Sequence, residues 1–198
     1  MTITHKKREK AMDTKKIAKA IKMLIEGLGD DPKRPGLRET PERVARMYEE
    51  ICCNIGKSDK GIIKILPRER HDEIILVRDI AFYSICEHHM LPFLGSCHVA
   101  YIPNEKLCGI SKLARVVEFH ARKLQVQERL TVQIADTLMR DLEPKGVMVV
   151  MDAEHLCMTM RGVKKPGSRS VTSVVRGIFR EKIATRNEAM SLIGKHGG

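Results

Sequence analysis

The spacing of apolar residues along this chain changes from helical to alternating and back, and each change marks a different kind of element. From Asp13 onward, Ile17, Ile21, Leu24, Ile25 and Leu28 recur at the spacing of one helical face, and Gly27 and Gly29 end the pattern. Residues 30–39 form a loop. Thr40 and Pro41 then offer an N-cap followed by proline at the first helical position, and Val44, Met47, Tyr48 and Ile51 mark the buried face of a second helix. Residues 73–83 and 95–102 are rich in β-branched and aromatic residues and predict strands. A helix capped by Ser111 carries Leu113, Val116, Val117 and Leu124. Another carries Leu130, Ile134, Leu138 and Leu142 and stops at Pro144 and Gly146. Strand character returns over 147–153, 155–161 and 171–179, before a polar helix from about residue 181. Two strands, two helices and further strands predict an α+β fold, with the helices grouped on one face of an antiparallel sheet. The chain thus divides into a disordered basic tail (1–12), an N-terminal helical subdomain with its linker (13–72) and a main domain (73–198).

Composition narrows the class. A chain of 198 residues can bury a real core, and three Tyr, four Phe, no Trp and 31% charged residues describe a soluble globular protein light in aromatics. No apolar stretch approaches the length of a membrane span, and no apolar run follows the basic start, so a cytoplasmic protein without membrane contact is expected. The net charge of +11 fits nucleic acid or a small polyanion such as a nucleoside triphosphate, and equally a well-solvated basic surface. Much of it sits in terminal or loop-like runs: Lys6, Lys7 and Arg8, Lys15 and Lys16, Lys164 and Lys165. Six cysteines in a chain of this length do not make a disulfide framework, and Cys52, Cys53, Cys97 and Cys108 read as small buried hydrophobes.

The other two cysteines keep different company. Cys86, Glu87, His88 and His89 run together, and His155, Leu156 and Cys157 answer them far along the chain. Two thiolates and up to three imidazoles from two short segments suit a zinc ion that keeps a position open for water, since no second Cys-x-x-Cys or Cys-x-x-His pair is present to close a structural site. One turn can deliver Cys86 and His89 to a single metal, leaving His88 free for proton transfer. Period-2 alternation over 155–161 puts His155, Cys157, Thr159 and Arg161 on one face and Leu156, Met158 and Met160 in the core. In Gly109–Arg115 a hydroxyl, Ser111, stands at a helix start with Lys112 and Arg115 one turn apart, which is a phosphate cradle or simply a capped surface helix. Gln127, Glu128 and Arg129 read as an ordinary first helical turn, in which a carboxylate could accept paired N–H donors from a guanine edge.

Four motifs together resemble the GTP cyclohydrolase I family: Cys-Glu-His-His-Met-Leu-Pro-Phe (86–93), Gly-Ile-Ser-Lys-Leu-Ala-Arg (109–115), Leu-Gln-Val-Gln-Glu-Arg-Leu-Thr (124–131) and Glu-His-Leu-Cys-Met-Thr-Met-Arg-Gly (154–162). The resemblance runs from about Thr40 to about residue 191. It implies conversion of GTP and water to 7,8-dihydroneopterin triphosphate and formate, the first step of folate or tetrahydropterin biosynthesis. It implies zinc held by Cys86, His89 and Cys157, proton transfer by His88 and His155, and guanine recognition by Glu128 with Gln127. Ser111, Lys112, Arg115 and Arg161 match residues that hold ribose and triphosphate. Arg46 stands where some members have a lysine reaching a neighbouring subunit's triphosphate, and a forked guanidinium binds phosphate differently from a point-like ammonium. The implied fold is the tunnelling fold, an antiparallel sheet backed by two antiparallel helices, which makes 73–198 the catalytic domain. The implied assembly is a homodecamer with no nucleic-acid partner. Two other readings make different demands. A zinc-stabilised nucleic-acid-binding protein needs four protein ligands and stacking aromatics, and another pterin or deazapurine enzyme of the same fold would use an all-histidine zinc site or a zinc-free cysteine nucleophile.

Overall fold

The computed structural model describes residues 11–66 and 71–194. The basic run at Lys6, Lys7 and Arg8 and most of the expected tail lie outside the described residues. The chain falls into two compact units, 1–58 and 59–198. Among the described residues no helix is long and apolar enough to cross a membrane.

The first unit holds two helices. Helix α1 (Thr14–Gly27) starts at Asp13, whose carboxylate accepts a hydrogen bond from the Lys16 amide at 2.9 Å. It ends where the Leu28 amide donates back to the Leu24 carbonyl and Gly29 takes a φ of 86°, a backbone conformation that suits glycine. Helix α2 (Thr40–Ile51) begins one residue earlier than its sequence implies. Glu39 occupies the cap position, no side chain caps it, and Thr40 is already helical, with Pro41 filling the first turn. The expected buried face of α2 is only partly buried. Pro41 and Ala45 are its buried residues, Val44, Tyr48 and Ile51 are intermediate, and Met47 is exposed. Two short helices have too little partner surface to cover a full apolar stripe.

The second unit is an α+β layer. Strands β1 (Ile65–Leu66), β2 (Ile75–Cys86), β3 (Pro92–Ile102) and β4 (Leu107–Cys108) come first, then helix α3 (Ile110–Ala121), β5 (Leu124–Gln125) and helix α4 (Gln127–Leu142). After them come β6 (Gly146–His155), α5 (Leu156–Thr159), β7 (Arg169–Gly177), α6 (Ile178–Glu181) and α7 (Ile183–Gly194). The main sheet has the order β5-β2-β3-β6-β7, antiparallel except for the short parallel β2–β5 pair, and β1 pairs with β4 separately. Helices α3 and α4 cover one face. Leu113, Val116, Val117, Leu130, Ile134 and Leu138 pack against the inward side chains of β2, β3 and β6, among them Phe82, Phe93, Cys97, Val99, Tyr101, Val149 and Met151. The opposite face has a smaller cluster, in which Ala100, Met148 and Val150 meet Phe179 and Ala189. This is the sheet-plus-two-helices arrangement that the resemblance implies. Cys52, Cys97 and Cys108 are buried as expected, Cys53 is only partly buried, and all six cysteines are free.

Three local readings need correction. Helix α3 starts at Ile110 with Gly109 as its cap, so Ser111 lies inside the first turn and does not cap it. Leu124 lies beyond that helix in β5, because the chain leaves α3 at Ala121 to add a strand beside β2. Most consequentially, the strand read over 155–161 does not exist. β6 ends at His155 and the next four residues form the turn α5. The alternation of polar and apolar residues there mimics a strand, but Met158 and Met160 are exposed and Thr159 is buried, the reverse of the expected faces. β7, the next strand in the sheet, pairs with β6 only as far as Glu154, so the ladder gives no support to an extended chain beyond it.

Candidate active site

The hairpin joining β2 and β3 carries the first group of site residues. Its last strand pair is Ile85 with Pro92, and Cys86 follows at the end of β2. The tip is closed by two backbone bonds, the Cys86 amide to the Leu91 carbonyl at 2.9 Å and the Met90 amide to the Cys86 carbonyl at 2.8 Å. Met90 adopts a left-handed φ of 55° to close it. Cys86 is buried, while His88 and His89 are exposed and meet edge to face with ring centroids 6.4 Å apart. The tip is tied to the start of α4. The Glu87 amide donates to the Gln125 carbonyl, the Glu87 carboxylate pairs with Arg129, and Arg129 Nε donates to Gln125 Oε1 at 2.9 Å. The Arg129 guanidinium holds the Glu87 carboxyl below its ordinary range.

The end of β6 brings the second group. His155 lies opposite Phe93 in the ladder, and the two rings stack with centroids 4.7 Å apart and planes 3° from parallel. The turn of α5 then carries Cys157 back toward the hairpin, and its Sγ lies 3.9 Å from Cys86 Sγ. One donor atom each from Cys86, His89 and Cys157 lies within 4.8 Å of the others. A sulfur pair at that distance is far too long for a disulfide. It is close to the roughly 3.8 Å between two thiolates on one tetrahedral zinc with Zn–S bonds of about 2.3 Å. The donor set is therefore right for zinc in kind, number and spacing. Burial raises the Cys157 thiol, the neighbouring Cys86 sulfur raises it further, and Arg161 opposes both. A cation between the sulfurs reverses that balance, because a coordinated thiol loses its proton. Arg161 reaches the same place, with Nη1 3.1 Å from His89 Nε2.

His155 and the start of α4 form the third part. Burial lowers the pKa of His155, and the carboxylate of Glu128 works in the opposite sense, so the two side chains are close enough to feel each other. Glu128 is exposed, whereas its neighbour Gln127 is only 1% exposed. Gln127 Oε1 lies 2.8 Å from His155 Nε2. At the start of α3, Ser111 and Arg115 are exposed and Lys112 is half-buried, on a twelve-residue helix whose first amides have no side-chain cap. The structure thus brings Cys86, His89, Cys157, His155, Gln127, Glu128 and Arg161 into one neighbourhood. Arg46 belongs to α2 in the first unit, where it lines a groove with Lys15, Lys19 and Lys22.

Three contributors escape a reading of motifs. Phe93 was part of a quoted motif, yet its stacking on His155 depends on the β3–β6 register. Arg129 lies inside the motif over 124–131, and only the fold shows that it clamps Glu87. Thr172 on β7 accepts from Gln127 Nε2 at 3.1 Å, and no sequence signal marks it.

The sequence model of the GTP cyclohydrolase I family matches residues 17–194. The chain is 58% identical over 182 residues to GTP cyclohydrolase 1 of Pelotomaculum thermopropionicum, covering 91% of this chain and 97% of that protein. It is 56% identical over 184 residues to GTP cyclohydrolase 1 of Carboxydothermus hydrogenoformans, covering 92% and 96%. With GTP cyclohydrolase 1 of Clostridioides difficile it shares 55% identity over 184 residues, covering 92% and 97%. A match over nearly the whole chain, joined to the Cys-His-Cys cluster at the hairpin tip, shows that this chain belongs to the GTP cyclohydrolase I family of hydrolases acting on GTP.

Proposed function

We propose that the protein is a zinc-dependent GTP cyclohydrolase I. It opens the imidazole ring of GTP at C8, releases formate and rearranges the remainder to 7,8-dihydroneopterin triphosphate for folate or tetrahydropterin synthesis. The observation that carries this reading is the convergence of Cys86, His89 and Cys157 beside the His155 imidazole and the Glu128 carboxylate. Zinc in a site with three protein ligands supplies an acidified water and a Lewis acid next to the bond to be broken. The remaining work falls to side chains of this chain. Glu128, exposed at the first turn of α4, accepts the paired N–H donors of the guanine edge. His155 gives and takes protons at the purine nitrogen released as the ring opens; burial favours its neutral, proton-accepting form and the Glu128 carboxylate opposes that. His88, exposed on the tip, is a second proton carrier. Ser111, Lys112 and Arg115 at the start of α3, with Arg161, hold ribose and triphosphate, since free helix amides and cations attract phosphate. Arg46 serves the triphosphate of a neighbouring subunit in a homodecameric, cytoplasmic enzyme.

One assay tests the reading. The purified protein is incubated with GTP, with and without a chelator, and formate and the oxidised fluorescent pterin are measured. Both should appear, vanish with chelator and return with zinc; no product in the presence of zinc would sink the proposal. His155→Ala should keep its metal and lose turnover.

A further inference from the structure

Gln127 lies next to the proposed guanine acceptor, but its side chain is buried and bonded within the protein. It is 1% exposed, and each of its polar atoms is engaged inside the protein. Nε2 lies 3.2 Å from the Met151 carbonyl oxygen, 2.9 Å from the Ser170 carbonyl oxygen and 3.1 Å from Thr172 Oγ1. Two of these partners are backbone carbonyls with no hydrogen to give. An amide turned the other way would set its oxygen against both, at the cost of a buried repulsion and two unmet acceptors. The orientation of the amide is therefore fixed by β6 and β7, and the atom 2.8 Å from His155 Nε2 is the oxygen. An amide oxygen only accepts. His155 Nε2 must carry the hydrogen between them, whether the ring is neutral or charged.

We infer that Gln127 is the positioning residue of His155: it keeps a hydrogen on Nε2 and leaves Nδ1 as the one ring nitrogen that exchanges protons with the substrate. The stacked Phe93 ring fixes the plane of the imidazole, and the Gln127 oxygen fixes its rotation within that plane. Thr131 completes the support. Its hydroxyl lies 2.7 Å from Thr172 Oγ1 and donates to the Gln127 carbonyl, so the first turn of α4 is tied to β7 as a unit. The two neighbours at the start of α4 then divide the labour. Glu128 meets the base, and Gln127 acts through His155. The inference rests on His155 being a proton carrier, as proposed above.

The test uses zinc-loaded protein with ¹⁵N-labelled histidine, in which the His155 signals are identified by their loss in His155→Ala. The wild type should show the Nε2–H tautomer, and an Nδ1–H pattern would overturn the inference. Gln127→Leu should lower kcat by roughly 10–100-fold, the range for removing a group that orients a catalytic or metal-bound imidazole, while KM for GTP and zinc content stay within about twofold. Its His155 signal should shift to a mixture of tautomers. If folded, zinc-loaded Gln127→Leu keeps full kcat, or loses turnover with no change in the His155 tautomer signal, the role is structural and the inference fails. Should Gln127→Leu not fold, the wild-type tautomer decides alone. A wild type without activity on GTP would overturn the proposed function and leave the tautomer spectrum to judge this inference.

Discussion

The two segments that meet at the candidate metal site are built on different principles. The hairpin tip brings Cys86 and His89 together through its own backbone. Two short-range bonds and one left-handed residue, Met90, are enough to close it. The end of β6 contributes His155 and Cys157 only because a ten-pair ladder with β3 holds it in register, after which the chain breaks into α5. One half of the site is thus local and tolerant of distant change, while the other inherits every error in the sheet. The proposed metal ligation has to bridge the two, since Cys86 comes from one and Cys157 from the other.

Removing a ligand should have the largest effect and should be blind to which half it comes from. Cys157→Ser and Cys86→Ser should each abolish stable metal retention, measured by elemental analysis after dialysis. Turnover should fall by well over the roughly 100-fold that marks the loss of a group supporting a ligand. Zinc held equally well by either variant would break the assignment of the donor set. The next effect should belong to the β6 half alone. A Cβ on Gly95 would lie 1.9 Å from the Asp152 carbonyl oxygen and 2.7 Å from Ala153 Cα, both backbone atoms of the neighbouring strand. Gly95→Ala must therefore push β3 and β6 apart a short way from the Phe93–His155 pair. A loss of more than about 3 kcal/mol in chemical denaturation is expected, with weakened metal binding in whatever folds. An unchanged midpoint would mean that the two strands do not approach as closely as the ladder shows.

The same division explains what could be read from the sequence. The meeting of Cys86 and His89 is legible because it is contained in four consecutive residues, which one turn can close. The helices α3 and α4 were legible from Leu113, Val116 and Val117 and from Leu130, Ile134 and Leu138, because helical periodicity is a local property. The segment after His155 was not. Its alternation of Cys157, Thr159 and Arg161 with Leu156, Met158 and Met160 satisfies a strand pattern, and nothing local says that the ladder has ended. The end of a ladder is a tertiary fact: β7 stops pairing at Arg169 opposite Glu154. Cys157 still falls beside Cys86 and His89, but α5 and not a strand face carries it there. Ser111 failed as a cap for a smaller reason, since Gly109 with a φ of −60° and ψ of 137° already provides the extended entry to α3.

Phe93→Leu separates packing from positioning within the β6 half. Phe93 is fully buried, edge to face with Phe82 at 5.9 Å, and stacked on His155. The smaller side chain should cost about 1–2 kcal/mol, or a few degrees in Tm for a chain of this size. It should also lower kcat by about tenfold with zinc content unchanged, because the ring loses the surface that fixes its plane. A fall in Tm with no fall in kcat would show that the Gln127 contact alone is sufficient to orient His155.

The smallest effect is expected at the hairpin tip. Arg129 pairs with Glu87, donates to Gln125 Oε1 and lies 3.3 Å from the Leu124 carbonyl, so it joins the tip to β5 and α4. The pair is solvent-exposed, with relative side-chain exposures of 42% and 35%, and screening leaves such pairs little to contribute to global stability. If the tip is locally determined, its two backbone bonds persist when Arg129 is removed, and Cys86 and His89 stay in reach of one metal. Arg129→Ala should therefore leave the denaturation midpoint almost unmoved. Zinc affinity should weaken by no more than about tenfold, the lower end of the range for groups that orient ligands, and competition with a colorimetric chelator would measure it. The Glu87 carboxyl, no longer held below its ordinary range by the guanidinium, should titrate at higher pH. Any residual contribution of the pair to metal binding should thus be lost from the wild type as pH falls through the depressed Glu87 pKa and be absent from the variant throughout. A much larger loss of affinity would mean that the tip, like the end of β6, depends on its neighbours, and the contrast between the two halves would disappear.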